Sequence, residues 1–302
     1  MGRFFVCVVV VLTLGCVSPS TAADVGTGVA YDSVSKGVDS ETPALRSADF
    51  EADFRSGQHP GSMCTPSLTR RYITIQKERI DEVCQHESII VDCKARTATL
   101  IALEAKTYYS VSLDTKYDDF RNEVSASMAK VAMTSTIDIQ RTMLGSQSID
   151  GRLTDDYKMV GKLSVASDLM SLTTVDSWTY YFLPTRLPEL ACIDVANPWL
   201  SRYGGASSYR PGPTSFEGGP MEALRVPGMR VTESGPELPP WRIPLYAVGS
   251  HFQHQSGEGG ITVDFDFTYF VEVESGNVRP IPNDDLVFEI PTGFSKMQMP
   301  GR

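Results

Sequence analysis

The sequence of 302 residues lacks the short motifs that indicate common reactions. It contains no GxSxG nucleophile elbow, no GxxxxGKS/T phosphate loop, no GxGxxG dinucleotide loop and no CxxC pair. These absences argue against a serine hydrolase, a nucleotide-dependent enzyme and a zinc protein. We therefore predict a protein that is not an enzyme and that has no catalytic residue, no cofactor and no metal.

Histidine is scarce, with four residues in the chain, and only His251 and His254 are close in sequence. Their spacing suits a metal site on a helix, but they directly precede a predicted strand, where alternation places them on opposite faces. The paired carboxylates fall at predicted turns or helix starts, where we expect capping. These pairs are Asp118-Asp119, Asp155-Asp156 and Asp284-Asp285.

Basic residues are few: 27 Lys and Arg stand against 37 Asp and Glu, which gives a formal net charge of -10. Nucleic acids and anionic membranes bind proteins through basic faces, so neither is an expected partner. No apolar run after the N-terminus is long enough to cross a bilayer, so we do not expect an integral membrane protein. The sequence also shows no internal repeat of fixed period.

The N-terminus has the pattern of a secretory signal. Arg3 precedes an apolar run over residues 4–14, and small residues follow. We favour conventional cleavage that removes residues 1–23. The alternative is a lipoprotein signal, with Cys16 as the lipid-anchored N-terminus. Either route predicts an exported protein, located in the periplasm or associated with the outer membrane, with secretion as the alternative.

The domain organisation follows from composition. Residues 24–63 are rich in Ser, Gly, Asp and Glu without a sustained period, which predicts a flexible linker. Residues 64–302 can form a single domain. Within it, residues 198–240 contain eight prolines and several glycines, so we predict an irregular segment rather than regular sheet.

Four cysteines remain after export, and an even count in an exported chain suggests two disulfides. These residues are Cys64, Cys84, Cys93 and Cys192. Three pairings are open. We predict Cys84 with Cys93, because they lie in adjacent strand segments and close a short loop, which leaves Cys64 with Cys192.

Alternating apolar and polar residues predict a mainly β protein. The clearest pattern covers residues 261–274, "ITVDFDFTYFVEVE". Shorter patterns occur over residues 71–83, 88–93, 97–103, 106–113, 131–142, 153–166 and 172–183. Turn-forming residues at 144–148 and 256–260 separate some of them, so the series predicts an antiparallel meander.

One predicted helix and several aromatic clusters interrupt this pattern. Residues 116–131 place Phe120, Val124 and Met128 on one helical face, which must pack on a sheet. Adjacent aromatics in "WTYYF", residues 178–182, give apolar area to both faces of a strand. Either the protein or a ligand must cover the second face.

Several stretches, in order, resemble an uncharacterised family of bacterial cell-envelope proteins whose fold is similar to the periplasmic lipoprotein carriers LolA and LolB. The stretches are "RRYITIQKERIDEV", "SIIVDCKARTATLIALEAKTYYSV", "STIDIQRTMLGSQSIDGRLTDDYKM", "DSWTYYFLPTRLPEL" and the closing "IPNDDLVFEIPTGFSKM". The resemblance implies an antiparallel sheet curled into an incomplete barrel, with a helix and loops over its concave face. It also implies an apolar cavity and no catalytic residues.

These observations predict a non-catalytic envelope protein that binds a lipid, an acyl chain or a lipidated peptide in an apolar cavity. The residues expected to line or cover the cavity are Tyr109, Phe120, Val124, Met128, Trp178, Tyr180, Phe182, Phe265 and Phe267. The alternative is a structural or interaction protein with a filled core. A hydrolase ranks third, and it would need a histidine within hydrogen-bond reach of a serine or carboxylate in a cleft.

Overall fold

The fold is a single large sheet, seen in a computed structural model that describes residues 27–38, 67–115, 133–167, 170–200, 230–239, 241–257 and 263–298. The described residues are mainly β-strand, which confirms the predicted class. They form one sheet of 13 strands that is not closed into a barrel, which is consistent with an incomplete barrel. The strands are β1 (Thr27–Val38), β2 (Ser67–Ile73), β3 (Lys77–Glu82), β4 (Glu87–Asp92), β5 (Thr97–Ala102), β6 (Thr107–Ser112), β7 (Met133–Ile149), β8 (Arg152–Ser167), β9 (Met170–Arg186), β10 (Arg230–Ser234), β11 (Arg242–Gly257), β12 (Val263–Pro282) and β13 (Ser295–Lys296).

Strand order divides the sheet into two halves. Across the sheet the order is β10-β7-β8-β9-β11-β12-β1-β2-β3-β4-β5-β6-β13. One half consists mainly of long strands of 16 to 20 residues, and β2 to β6 on the other side have six or seven residues each. Most neighbours are antiparallel, but the edge strands β10 and β13 pair in parallel with β7 and β6.

The predicted linker is wrong over residues 27–38, because this segment is β1. It pairs with β12 on one side, from Thr27 opposite Pro282 to Val38 opposite Phe270. On its other side it pairs with β2. Val29 and Tyr31 are buried. The domain therefore begins before residue 64. Small polar residues give this segment no clear strand pattern in the sequence. Pairing on both sides supplies the backbone hydrogen bonds that stabilise the strand.

Other boundaries also differ from the prediction. Residues 71–83 form two strands, β2 and β3, joined by a turn. The turn expected at residues 144–148 lies inside β7, which continues through a register shift between Met143 and Gly145. The irregular segment predicted at residues 198–240 contains β10, because five residues of it pair with β7. The predicted helix at residues 116–131 and the predicted signal lie outside the described residues.

The paired carboxylates have mixed outcomes. Asp155 and Asp156 lie inside β8, not at a turn, and bond across the strands: Asp155 pairs with Arg242, and Gln147 donates to Asp156. Asp285 does cap a single-turn 3-10 helix, Leu286–Phe288, as expected, since it accepts a hydrogen bond from the Val287 N–H.

The short half is built with a regular spacing. Strands β3 to β6 begin ten residues apart, and four-residue turns join them. Each turn ends at a residue with positive φ, namely His86, Arg96 and Lys106. This geometry is typical of four-residue hairpin loops. The structure therefore contains a ten-residue period that the sequence prediction missed.

The first core cluster brings together residues of the short strands, of β9 and β11, and of the helix α1 (Ile193–Leu200). Leu187, Ile193, Ala196 and Trp199 pack against strand residues such as Ile80. A backbone hydrogen bond from Ala191 to the Ile75 carbonyl fixes the chain that leads to the helix. None of the helices in the described residues has the length and apolar character needed to cross a bilayer.

A disulfide joins α1 to the short half, between Cys93 and Cys192, with a Cα–Cα distance of 5.3 Å. The predicted pairs Cys84–Cys93 and Cys64–Cys192 are therefore wrong. The docking of α1 brings Cys192 to the end of β4, a contact that sequence separation does not indicate. Cys84 is also disulfide-bonded, and Cys64 lies outside the described residues.

We expect peptide mapping to recover a fragment that links Cys93 to Cys192. A glutamate-specific protease separates Cys84 from Cys93 by cutting after Glu87. Replacing both Cys93 and Cys192 with Ala should lower the free energy of unfolding by about 2–5 kcal/mol, because the bond closes a loop of about 100 residues. Recovery of Cys84 linked to Cys93 would contradict this connectivity.

A buried polar row crosses the junction between the two halves. The Ser33 and Ser275 hydroxyls lie 2.7 Å apart, and Thr69 donates to Glu82 over 3.0 Å. Ser33 and Thr69 are paired across β1 and β2, and Thr69 and Glu82 across β2 and β3. Burial raises the pKa of Glu82 to about 7, against the opposing effects of the Thr69 hydrogen bond and the Arg71 charge.

Glu82 should make stability fall as the pH rises. Its folded pKa lies above its unfolded value, so the folded state holds the proton more tightly between about pH 4.5 and 7. The free energy of unfolding should drop by about 3 kcal/mol across that window and then level off. In Glu82→Gln, urea unfolding should lose this slope. The control Glu87→Gln, at the cross-strand position, should retain most of it. An unchanged slope in Glu82→Gln would contradict the assignment.

Candidate functional site

The strand register brings aromatic residues together on one face of the long half. Trp178 on β9 lies opposite Met159 on β8 and Gly249 on β11. Two residues further on, Tyr180 lies opposite Tyr157 and Ala247. Paired residues on neighbouring strands share a face. We call the surface made by Tyr157, Met159, Trp178, Tyr180, Phe182 and Ala247 the aromatic face; all six belong to or pack against the second core cluster.

The rings on this face contact one another in sequence along β9. The ring centroids of Trp178 and Tyr180 are 5.9 Å apart and those of Tyr180 and Phe182 are 5.6 Å apart, both stacked. Tyr157 meets Phe182 edge-on at 5.9 Å. Tyr180 is 1% exposed and Phe182 is 2% exposed, whereas Trp178 is half-buried. The stack of rings along β9 therefore has a fully buried inner end at Tyr180 and Phe182 and a more open end at Trp178.

Gly249 provides the space for the Trp178 indole. A Cβ atom at Gly249 would lie 2.4 Å from the Trp178 ring, which is closer than non-bonded atoms approach. Glycine is required here because the indole lies directly on the β11 backbone. Sequence reasoning did not predict this contact, because residues 178 and 249 meet only through the register of β9 and β11.

A polar pair lies in the next row of the same face. His251 Nδ1 and Asp176 Oδ1 are 2.7 Å apart, and each side chain is 17% exposed. Asp176 is paired with Gly161 on β8, and the Tyr269 ring on β12 lies 4.9 Å from the His251 ring. The row thus runs from Gly161 through Asp176 and His251 to Tyr269.

Burial and charge alter the titration of this row. Burial raises the pKa of Asp176, and the hydrogen bond from His251 opposes that rise. Burial, with a smaller contribution from the Asp176 charge, also raises the pKa of Tyr180 and of Tyr269. Both phenols therefore remain protonated at neutral pH.

A second His–Asp pair of the same geometry lies on the other face. His254 Nδ1 is 2.7 Å from Asp266 Oδ1, and both side chains are more exposed than those of the first pair. The two histidines lie three residues apart on β11, so they face opposite sides, as predicted. No group of three His, Cys, Asp or Glu side chains in the described segments is arranged to hold a metal ion.

The His251–Asp176 pair meets one condition set for a hydrolase, a histidine within reach of a carboxylate. The remaining requirement is a nucleophile at the other ring nitrogen. Among the residues that the structure describes, His251 hydrogen-bonds only to Asp176. Within the described residues the arrangement is therefore a hydrogen-bonded His–Asp pair beside an apolar surface.

The predicted cavity residues fall into four groups. Trp178, Tyr180 and Phe182 lie together on the aromatic face. Phe265 and Phe267 occupy backbone positions opposite Gln255 and Gln253, in the register of the same face. Tyr109 packs instead against the first core cluster. Phe120, Val124 and Met128 lie outside the described residues. Sequence reasoning did not assign Tyr157, Met159, Asp176, Ala247, Gly249 or His251 to this site, although the alternation in β8 could have indicated the first two.

No protein-family model, curated protein or solved structure matches the chain. The resemblance to the envelope carriers therefore stays a prediction.

We expect Gly249→Ala to displace the Trp178 indole and to lower the free energy of unfolding by about 1–3 kcal/mol, the usual cost of overpacking. Urea unfolding measures this change. Gly37→Ala is the matched control, because Gly37 lies in the same row on β1 and its nearest new contact would be 3.9 Å away. Equal stability of the two variants would contradict the close contact at Gly249.

Proposed function

We propose that the aromatic face binds an acyl chain, as part of a lipid, a fatty acid or a lipidated peptide, without catalysis. The observation that carries the proposal is the continuous row of stacked rings from Trp178 to Phe182, on a sheet that is not closed. The half-buried Trp178 at one end is the place where a chain enters. The expected export signal and the resemblance to envelope carriers support the same class of protein, in the periplasm or at the outer membrane.

The free energy gained by burying methylene groups favours a long acyl chain as the ligand. Each methylene removed from water contributes about 0.8 kcal/mol, so about ten buried methylenes are needed for micromolar affinity before the cost of association. The stacked rings extend from residue 178 to residue 182 of β9, four steps along the strand, or roughly 13 Å at the usual rise of a strand. Short-chain acids should therefore bind weakly, and affinity should increase with chain length.

A second candidate function rests on the inner end of the same face. Tyr180 and Phe182 are almost fully buried, so the protein itself fills this part of the surface. A structural or interaction protein with a filled core would show the same burial. The two candidates differ in whether an added apolar ligand reaches Trp178.

The test is a titration with cis-parinaric acid, whose fluorescence increases in an apolar site, combined with native mass spectrometry of the gently purified protein. We expect co-purifying lipid and saturable binding. Trp178→Ala should weaken binding about tenfold or more, because it removes the ring at the open end of the stack.

Tyr181→Ala is the matched control. Tyr181 is a buried aromatic residue of the same strand, but it belongs to the first core cluster. The Tyr181 variant should lose stability and keep its affinity at temperatures where it is folded. A protein that is empty and does not bind the probe would favour the filled core, and equal weakening in both variants would contradict binding at Trp178.

A further inference from the structure

The Asp176–His251 pair lies where an apolar ligand on the aromatic face would place its polar end. The pair is in the row next to Trp178 and Gly249, on the same two strands and the same face. Beyond it, β9 and β11 continue with Thr174 and Gln253. Further along the same face, Leu172 on β9 packs again against the second core cluster. Along these two strands the stack of aromatic rings therefore ends at this polar pair.

The nearest row neighbours of the pair are uncharged, and the charged side chain that the described residues place in its row is Glu233 on β10, opposite Ile139. In this row β8 contributes Gly161, and β7 contributes Ile139, which is buried. Tyr269 contributes an uncharged ring on β12. Arg141 stands one row away on β7, and its guanidinium already pairs with Glu233 over 2.6 Å. A hydrogen bond to His251 therefore forms in a mainly uncharged environment, where it is stronger than in water.

The chemistry of the pair selects the ligand. An ionised Asp176 only accepts hydrogen bonds, so the Nδ1 of His251 carries a proton and donates it. The Nε2 of a neutral His251 then accepts a hydrogen bond from a carboxylic acid O–H. If that proton moves to Nε2, the N–H donates to the carboxylate that is formed, and Asp176 stabilises the imidazolium. An ester has no proton to supply in either state.

The geometry points to a long-chain monocarboxylic acid as the ligand, with its chain on the aromatic face and its carboxyl group hydrogen-bonded to the Nε2 of His251. This inference rests on the proposed function and narrows it from acyl chains in general to free acids. It also assigns His251 as the residue that contacts the head group, with Asp176 as the residue that positions it.

The experiment compares cis-parinaric acid with its methyl ester in fluorescence titrations of the wild-type protein and two variants. His251→Asn retains a side-chain amide that can bond to Asp176 and removes the group at the Nε2 position. His254→Asn is the matched control, because it changes the equivalent His–Asp pair on the opposite face.

We expect the wild-type protein to bind the acid about tenfold or more tightly than the ester, which is the usual effect of a charge-assisted hydrogen bond. The preference should disappear in His251→Asn, with ester affinity unchanged, and persist in His254→Asn. If His251→Asn does not fold, Asp176→Asn serves instead and should reduce the preference, because the imidazolium loses its counter-charge.

Three results distinguish failure of the carboxylic acid inference from failure of acyl-chain binding as a whole. Equal binding of acid and ester by the wild-type protein overturns the carboxylic acid inference and leaves acyl-chain binding intact. A preference that survives in His251→Asn, or in Asp176→Asn where that variant replaces it, also overturns the inference. Failure of both probes to bind the wild-type protein overturns the proposed function and the inference together.

Discussion

The pairing of β1 on both of its sides is the constraint on which the rest of the sheet depends. One edge of β1 bonds to β12, which is followed by the long strands, and the other edge bonds to β2, which begins the short half. Without β1 the two halves would each expose an unpaired edge at the centre of the protein. The buried polar row of Ser275, Ser33, Thr69 and Glu82 crosses this junction, so the seam is fixed by side chains as well as by the backbone.

The two halves use their apolar residues differently. In the short half, α1 covers strand residues directly, and the Cys93–Cys192 bond holds the helix in place. In the long half, stacked rings along β9 form a surface of their own, and Gly249 lets one ring lie on the neighbouring backbone. A covalently fixed core beside an aromatic surface with a more open end at Trp178 would suit the proposed binding, because rigid neighbouring elements hold the side chains of a site in place.

Alternation and turn residues were sufficient to predict the class of fold and most strands, since these are local signals. They were insufficient for β1, whose Ser, Gly and Lys residues have no strand pattern and whose partners on β12 lie more than 200 residues away. Three of the predicted cavity residues, Trp178, Tyr180 and Phe182, do lie together on one face. The Asp176–His251 pair and the Cys93–Cys192 bond could not be predicted, because they join residues 75 and 99 positions apart. Such contacts depend on strand register and on helix docking, and neither can be predicted from the pattern of a single sequence.

Because β3 to β6 begin at intervals of ten residues, the width of the short half changes by whole strands. One unit adds a strand that runs in the reverse direction, whereas two units, or twenty residues, restore both the direction of the chain and the face that each side chain occupies. Neighbouring strands lie about 4.8 Å apart, so each such step widens the sheet by about 10 Å. Duplication or loss of a complete hairpin is therefore the length change that this half can absorb without disturbing its neighbours.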